Sequence, residues 1–115
     1  MSLSSLTGDR LLLALNALAN PHRLRILAML TESGRNYVSQ LARDVGISRP
    51  LLHMHLQKLE AAGLIRGALE LSEDGKAMKY YSVEPFLLEL SPQRITELTR
   101  TLTVESVIPP AAGDD

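Results

Sequence analysis

The sequence predicts a mainly α domain with one small β-hairpin, a winged helix-turn-helix with five helices. Three observations predict it. Leu41, Ala42 and Val45 recur at helical spacing, as do Leu52, Leu56 and Leu59, and Gly46 separates the two sets. The second set stops at Gly63. Two strand-like runs follow, joined through Asp74-Gly75, a dipeptide suited to a tight hairpin turn. A helix-turn-helix places its second helix in the major groove of DNA, and a hairpin directly after it makes a wing.

The elements follow in order. Residues 9–19 read as a first helix, with Leu11, Leu12, Leu15 and Leu18 at helical spacing. Leu13 and Ala14 add apolar surface on another side, so this helix needs more than one partner surface. Asn20-Pro21 starts the second helix, because Asn suits the N-cap and Pro the first helical position. It runs to about Thr31 with Leu24, Ile26, Leu27 and Leu30 inward, and Gly34 stops it. Asn36-Tyr37-Val38 suits a short strand. Ser39 is expected to cap the third helix, with Leu41, Ala42 and Val45 inward, and Gly46 frees the backbone at the turn. Ser48 caps the fourth helix, where Pro50 is tolerated in the first turn.

Residues 64–71 and 76–83 are the hairpin strands, with Tyr80 and Tyr81 on opposite faces, one in the core and the other partly exposed. Glu84-Pro85 ends the second strand. Ser91-Pro92 repeats the cap-plus-proline start, and a last helix runs through Ile95, Leu98 and Leu102. One domain over residues 9–104 accounts for these elements, and the Pro- and Asp-containing stretch 105–115 reads as a disordered tail.

Composition narrows the function classes. The absence of cysteine excludes disulfides, thiolate metal sites and cysteine-based redox sensing. No apolar stretch approaches the roughly 20 residues of a membrane span, and no secretion signal is visible, so the expected location is the cytoplasm. Net charge is −1, but it is uneven: residues 21–66 carry seven basic and three acidic side chains, residues 67–115 four basic and nine acidic. The basic segment is the one that holds the motif. No phosphate-binding glycine loop, nucleophile–base pair or paired-carboxylate pocket points to an enzyme, and no cofactor is implied.

Turning about 100° per residue along the fourth helix gives it two sides. Leu51, Leu52, His55, Leu56 and Leu59 form the arc expected to be buried. Arg49, Pro50, His53, Met54 and Gln57 form the opposite arc. Arg can fork onto guanine and Gln can pair with adenine, while Pro50 and Met54 suit thymine methyls. Ser39, Gln40 and Ser48 suit phosphate contacts, and Arg43 and Lys58 add positive charge. Lys76 and Lys79 flank the wing tip and suit phosphates or the minor groove, opposed there by Glu73 and Asp74. His53 and His55 point about 200° apart and cannot share one ion, so no metal site is expected. His55 reads as a packed, hydrogen-bonded histidine and His22 as an exposed one.

Three segments together resemble the ArsR-type winged-helix repressors. They are Leu15-Asn-Ala-Leu-Ala-Asn-Pro-His-Arg-Leu-Arg-Ile-Leu27, the helix-turn-helix through Leu56-Gln-Lys-Leu-Glu-Ala-Ala-Gly-Leu-Ile65, and Asp74-Gly-Lys-Ala-Met-Lys-Tyr-Tyr81. The resemblance implies a homodimeric transcriptional regulator that binds a palindromic operator in double-stranded DNA, with dimerisation through the first and last helices. That places Leu11, Leu12, Leu15, Ile95, Leu98 and Leu102 at the dimer interface. Many such proteins sense metals through Cys on the third helix or Asp and His on the last. The third helix here has no Cys and residues 92–104 have no Cys, His or Asp, so a metal-sensing role is not implied. An effector, if one exists, is a small molecule or a protein. The alternative function is a winged-helix module that binds another protein without operator activity.

Overall fold

The computed structural model describes residues 6–103. The chain order is α1 (Gly8–Leu18), α2 (Pro21–Ser33), β1 (Asn36–Tyr37), α3 (Val38–Val45), α4 (Arg49–Ala61), β2 (Ile65–Leu71), β3 (Ala77–Val83) and α5 (Pro92–Thr99). The three strands form one antiparallel sheet in the order β1-β3-β2. The architecture is the winged helix-turn-helix that the sequence predicts, and the expected tail at residues 105–115 lies outside the described residues.

Local chemistry explains where the helices begin. Asn20 Oδ1 accepts from the backbone N–H groups of His22 (2.9 Å) and Arg23 (3.2 Å), and Pro21 follows at the first helical position. Ser91 Oγ accepts from Arg94 N–H at 3.0 Å in the same way. Helix α3 departs from expectation. It starts at Val38 with Tyr37 at the cap position and no side-chain cap bond, because β1 runs directly into it. Ser39 therefore stands in the first turn instead of capping it.

Ile26, Leu30, Leu41, Leu52, Leu56, Leu59 and Leu64 are fully buried where α2, α3 and α4 meet the base of the hairpin. Tyr81 is buried with them, and Tyr80 is partly exposed on the other face of β3. Two leucines expected inside are not. Leu24 is 53% exposed because Arg23, and not Leu24, holds the inward position one turn before Ile26 and Leu27. Leu51 is also exposed, standing at the open N-terminal end of α4.

A second, smaller cluster joins the ends of the chain: Leu6, Leu11 and Leu98 pack together, with Leu88 beside them. Helix α5 stops at Thr99, short of the expected Leu102. Thr101 Oγ1 donates to Leu98 O (2.8 Å) and accepts from Gly8 N–H (2.6 Å), while Thr103 N–H donates to Asp9 Oδ1 at 2.9 Å. The chain after α5 is thus drawn onto the start of α1 and cannot continue the helix.

Candidate nucleic-acid interface

Helices α3 and α4 are joined by Gly46, whose φ of 77° and ψ of 34° lie in the left-handed region that costs a glycine nothing. Its N–H closes α3 by donating to Ala42 O at 2.9 Å. Two residues later Ser48 Oγ accepts from Leu51 N–H and starts α4. Leu52, His55, Leu56 and Leu59 anchor α4 from beneath. Arg49, Pro50, His53, Met54 and Gln57 are then all left exposed.

Ser39 and Arg49 each line two shallow surface clefts. One also includes Arg43 and Gly46, and the other includes Tyr37, Met78 and Lys79 from the wing. The structure therefore brings Ser39, Arg43, Arg49 and Lys79 to one surface between α3, α4 and the hairpin. Gln40 is engaged within α3, donating to Asp44 Oδ1 (2.8 Å) and accepting from Arg43 (2.7 Å). Lys58 stands apart from this group, in a cleft shared with Leu13 and Ala17 of α1.

The wing is held by its own contacts. Ser72 N–H donates to Lys76 O at 2.8 Å, and Gly75 takes a φ of 82° at the turn. The Ser72 hydroxyl and the Lys76 N–H hold Asp74 below the usual carboxylate range, so the tip keeps a negative charge. Lys76 is exposed beside it. The Lys79 ammonium lies 5.3 Å from the Tyr81 ring centre, and the Tyr81 hydroxyl raises its pKa. On the other face, Arg35 lies over Tyr80 at 4.5 Å and pairs with Glu70, which raises its pKa.

Sequence reasoning missed the role of Arg23, which it counted among the basic residues of the motif segment. Arg23 is only 8% exposed. Its Nε donates to Ala17 O (2.7 Å), its Nη2 to Asn16 O (3.3 Å), and its Nη1 lies 3.1 Å from His55 Nδ1. Arginine has no acceptor, so His55 Nδ1 accepts and the neutral ring carries its proton on Nε2. Burial, then the nearby Arg23 charge, pushes the His55 pKa down. His22 is not exposed as expected: it is half-buried, with its ring centre 5.4 Å from that of His55. The available signal was position, since Arg23 precedes Ile26 and Leu27 by three and four residues on one helix face.

The residues expected at a dimer interface also divide. Leu12, Leu15, Ile95 and Leu102 are exposed. Leu11 and Leu98 are used inside the subunit, against each other and Leu6, so they back this surface and do not face outward.

Residues 20–66, which span α2 to the start of the wing, match the bacterial regulatory protein family arsR. An uncharacterized HTH-type transcriptional regulator of Methanocaldococcus jannaschii is 35% identical over 82 residues, covering 71% of this chain and 84% of the relative. The chain belongs to the arsR family. A second relative, an uncharacterized HTH-type transcriptional regulator of Mycobacterium tuberculosis, is 35% identical over 86 residues, 75% of this chain and 72% of its own length. Among solved structures, a homodimeric winged helix-turn-helix DNA-binding domain from Mycobacterium bovis superposes with a TM-score of 0.58 at 29% identity. The match covers 65% of this chain, and the chain spans 64% of that domain. This arsR-family chain is a transcriptional regulator with a helix-turn-helix DNA-binding domain, and not an enzyme. Among its described residues no helix is long and apolar enough to cross a membrane.

Proposed function

We propose that the chain acts in the cytoplasm as a homodimeric repressor that binds a palindromic operator in double-stranded DNA, with residues 9–104 as the functional unit. The observation that carries this reading is the joint exposure of Arg49, His53 and Gln57 on the side of α4 away from Leu52, Leu56 and Leu59. Arg49 and Gln57 offer the forked donors and the amide that read guanine and adenine. Pro50 and Met54 face thymine methyls. Ser39, Arg43, Ser48 and Lys76 take phosphates, and Lys79 closes the wing side of the same surface. Gln40 and Lys58 contribute less, since Gln40 is bonded within α3 and Lys58 lies toward α1. The homodimeric M. bovis domain supports dimerisation. Two-fold symmetry would set the two reading helices about 34 Å apart.

The test is selection of bound sequences from random DNA, followed by gel shifts with the wild type and Arg49→Ala. A selected sequence should outcompete random DNA, and Arg49→Ala should weaken specific binding by about 1–3 kcal/mol. If no sequence outcompetes random DNA even at low salt, operator binding fails. Equal affinity of wild type and Arg49→Ala removes that residue from base reading. One observation favours a protein partner for the wing: Leu69 and Leu71 are 71% and 77% exposed on β2, an outer strand paired only with β3. That second reading predicts that no operator is selected and that a partner protein bound by the wild type is lost in Leu69→Ser/Leu71→Ser.

A further inference from the structure

Helix α1 packs beside α4, and a furrow between them is lined by small side chains, Ala17 on α1 and Ala61 at the C-terminal end of α4. Two adjoining clefts run along it and share Leu13 and Ala61. Arg23 and Lys58 line the first, and Arg10 and Glu60 line the second. The furrow thus sets three cations against one carboxylate along an aliphatic wall. One of the cations is preorganised. The buried Arg23 guanidinium is fixed by Ala17 O, Asn16 O and His55 Nδ1, and these contacts use three of its five N–H donors.

We propose that this furrow binds a small organic monocarboxylate with an aliphatic or aromatic body. The carboxylate lies at the Lys58 end, within reach of the remaining Arg23 donors, as a charge-assisted pair. The body covers Leu13 and Ala61 and runs toward Arg10. The aliphatic wall disfavours inorganic phosphate, which has no apolar part to bury. Glu60 at the far end disfavours a second negative charge on the ligand. Lys58 is nine residues beyond Arg49, about 13 Å along the helix axis. The occupant therefore touches the reading helix away from its N-terminal contacts, and also touches α1, whose Leu12 and Leu15 are exposed. Its meaning as an effector rests on the operator reading above, but binding itself does not.

The experiment titrates the isotopically labelled full chain with octanoate, without DNA, and follows backbone amide resonances. Octylammonium serves as the control of opposite charge. Saturable shifts centred on residues 10–17 and 58–63 are expected with octanoate and not with octylammonium. Lys58→Glu should weaken octanoate binding at least roughly ten-fold, and Ala61→Leu should weaken it by filling the furrow while keeping every charge. Both positions are exposed, so both variants should fold. No saturable shift, an equal response to octylammonium, or undiminished affinity in both variants would overturn the proposal. Because DNA is absent, a failure here is distinct from a failure of operator binding.

Discussion

Arg23 ties the end of α1 to α4 through one guanidinium, which bonds two α1 carbonyls and the ring of His55. Lysine carries the same charge but not the fork. Arg23→Lys should leave buried acceptors unpaired and lower stability by about 1–3 kcal/mol, read as a shift in the urea midpoint. An unchanged midpoint would mean that the fork adds nothing. The same contact sets a pH dependence. His55 is neutral in the fold, its pKa lowered by burial and then by Arg23, so the unfolded chain takes up that proton first as the pH falls. The contribution of His55 is complete above the ordinary histidine value of about 6.5 and is lost below it, by at most about 1.4 kcal/mol per pH unit. Urea unfolding between about pH 7.5 and about pH 5.5, a range that spans that value, should show this loss in the wild type and a flatter profile in His55→Gln. Parallel profiles would assign the loss to other groups. A packed, hydrogen-bonded His55 was legible in the sequence, but Arg23 as its partner was signalled only by its spacing to Ile26 and Leu27. The exposed arc of α4 was legible because Leu52, Leu56 and Leu59 fix the rotation of the helix and leave Arg49, His53 and Gln57 on the other side.

At the scale of elements, helix starts were readable and helix ends less so. A cap acts through residues that are adjacent in sequence, as at Asn20-Pro21 and Ser91-Pro92. The end of α5 depends on residues more than ninety positions away. Thr101 Oγ1 accepts from Gly8 N–H, and Thr103 bonds to Asp9. Gly8 shows how close this approach is. A Cβ there would lie 2.5 Å from Leu98 O and 2.7 Å from Leu102 Cγ. The Leu98 oxygen is backbone and cannot swing aside, so Gly8→Ala should push α5 away from α1. The expected cost is about 1–3 kcal/mol, typical of an overfilled site. Amide hydrogen exchange should report it as lost protection over residues 92–99, with α4 retaining its own. Full protection of α5 in the variant would mean that the two helices can separate without penalty.

At the scale of the whole molecule, the leucines of α1 divide between two tasks that periodicity cannot distinguish. Leu11, Ala14 and Ala17 turn into the subunit, while Leu12 and Leu15 stay exposed, and all of them sit on one helix with similar spacing. On α5, Leu98 turns inward against Leu11 and Leu6, while Ile95 stays exposed. A charge therefore tests different things at different positions. Leu98→Asp would bury an unpaired carboxylate in the α1–α5 packing, so it should destabilise the subunit itself by about 3 kcal/mol or more, and loss of the dimer in that variant would say little about the interface. Leu15→Asp places the charge on the exposed side. If α1 packs against its two-fold mate, Leu15→Asp should sediment as a monomer while its circular dichroism and the protection of α4 stay at wild-type level. Operator binding should weaken with it, because two reading helices on separate subunits lose the coupling that a shared frame gives them. A Leu15→Asp protein that still sediments as a dimer would move the contact off this face of α1, and Ile95→Asp would then show whether α5 carries it alone.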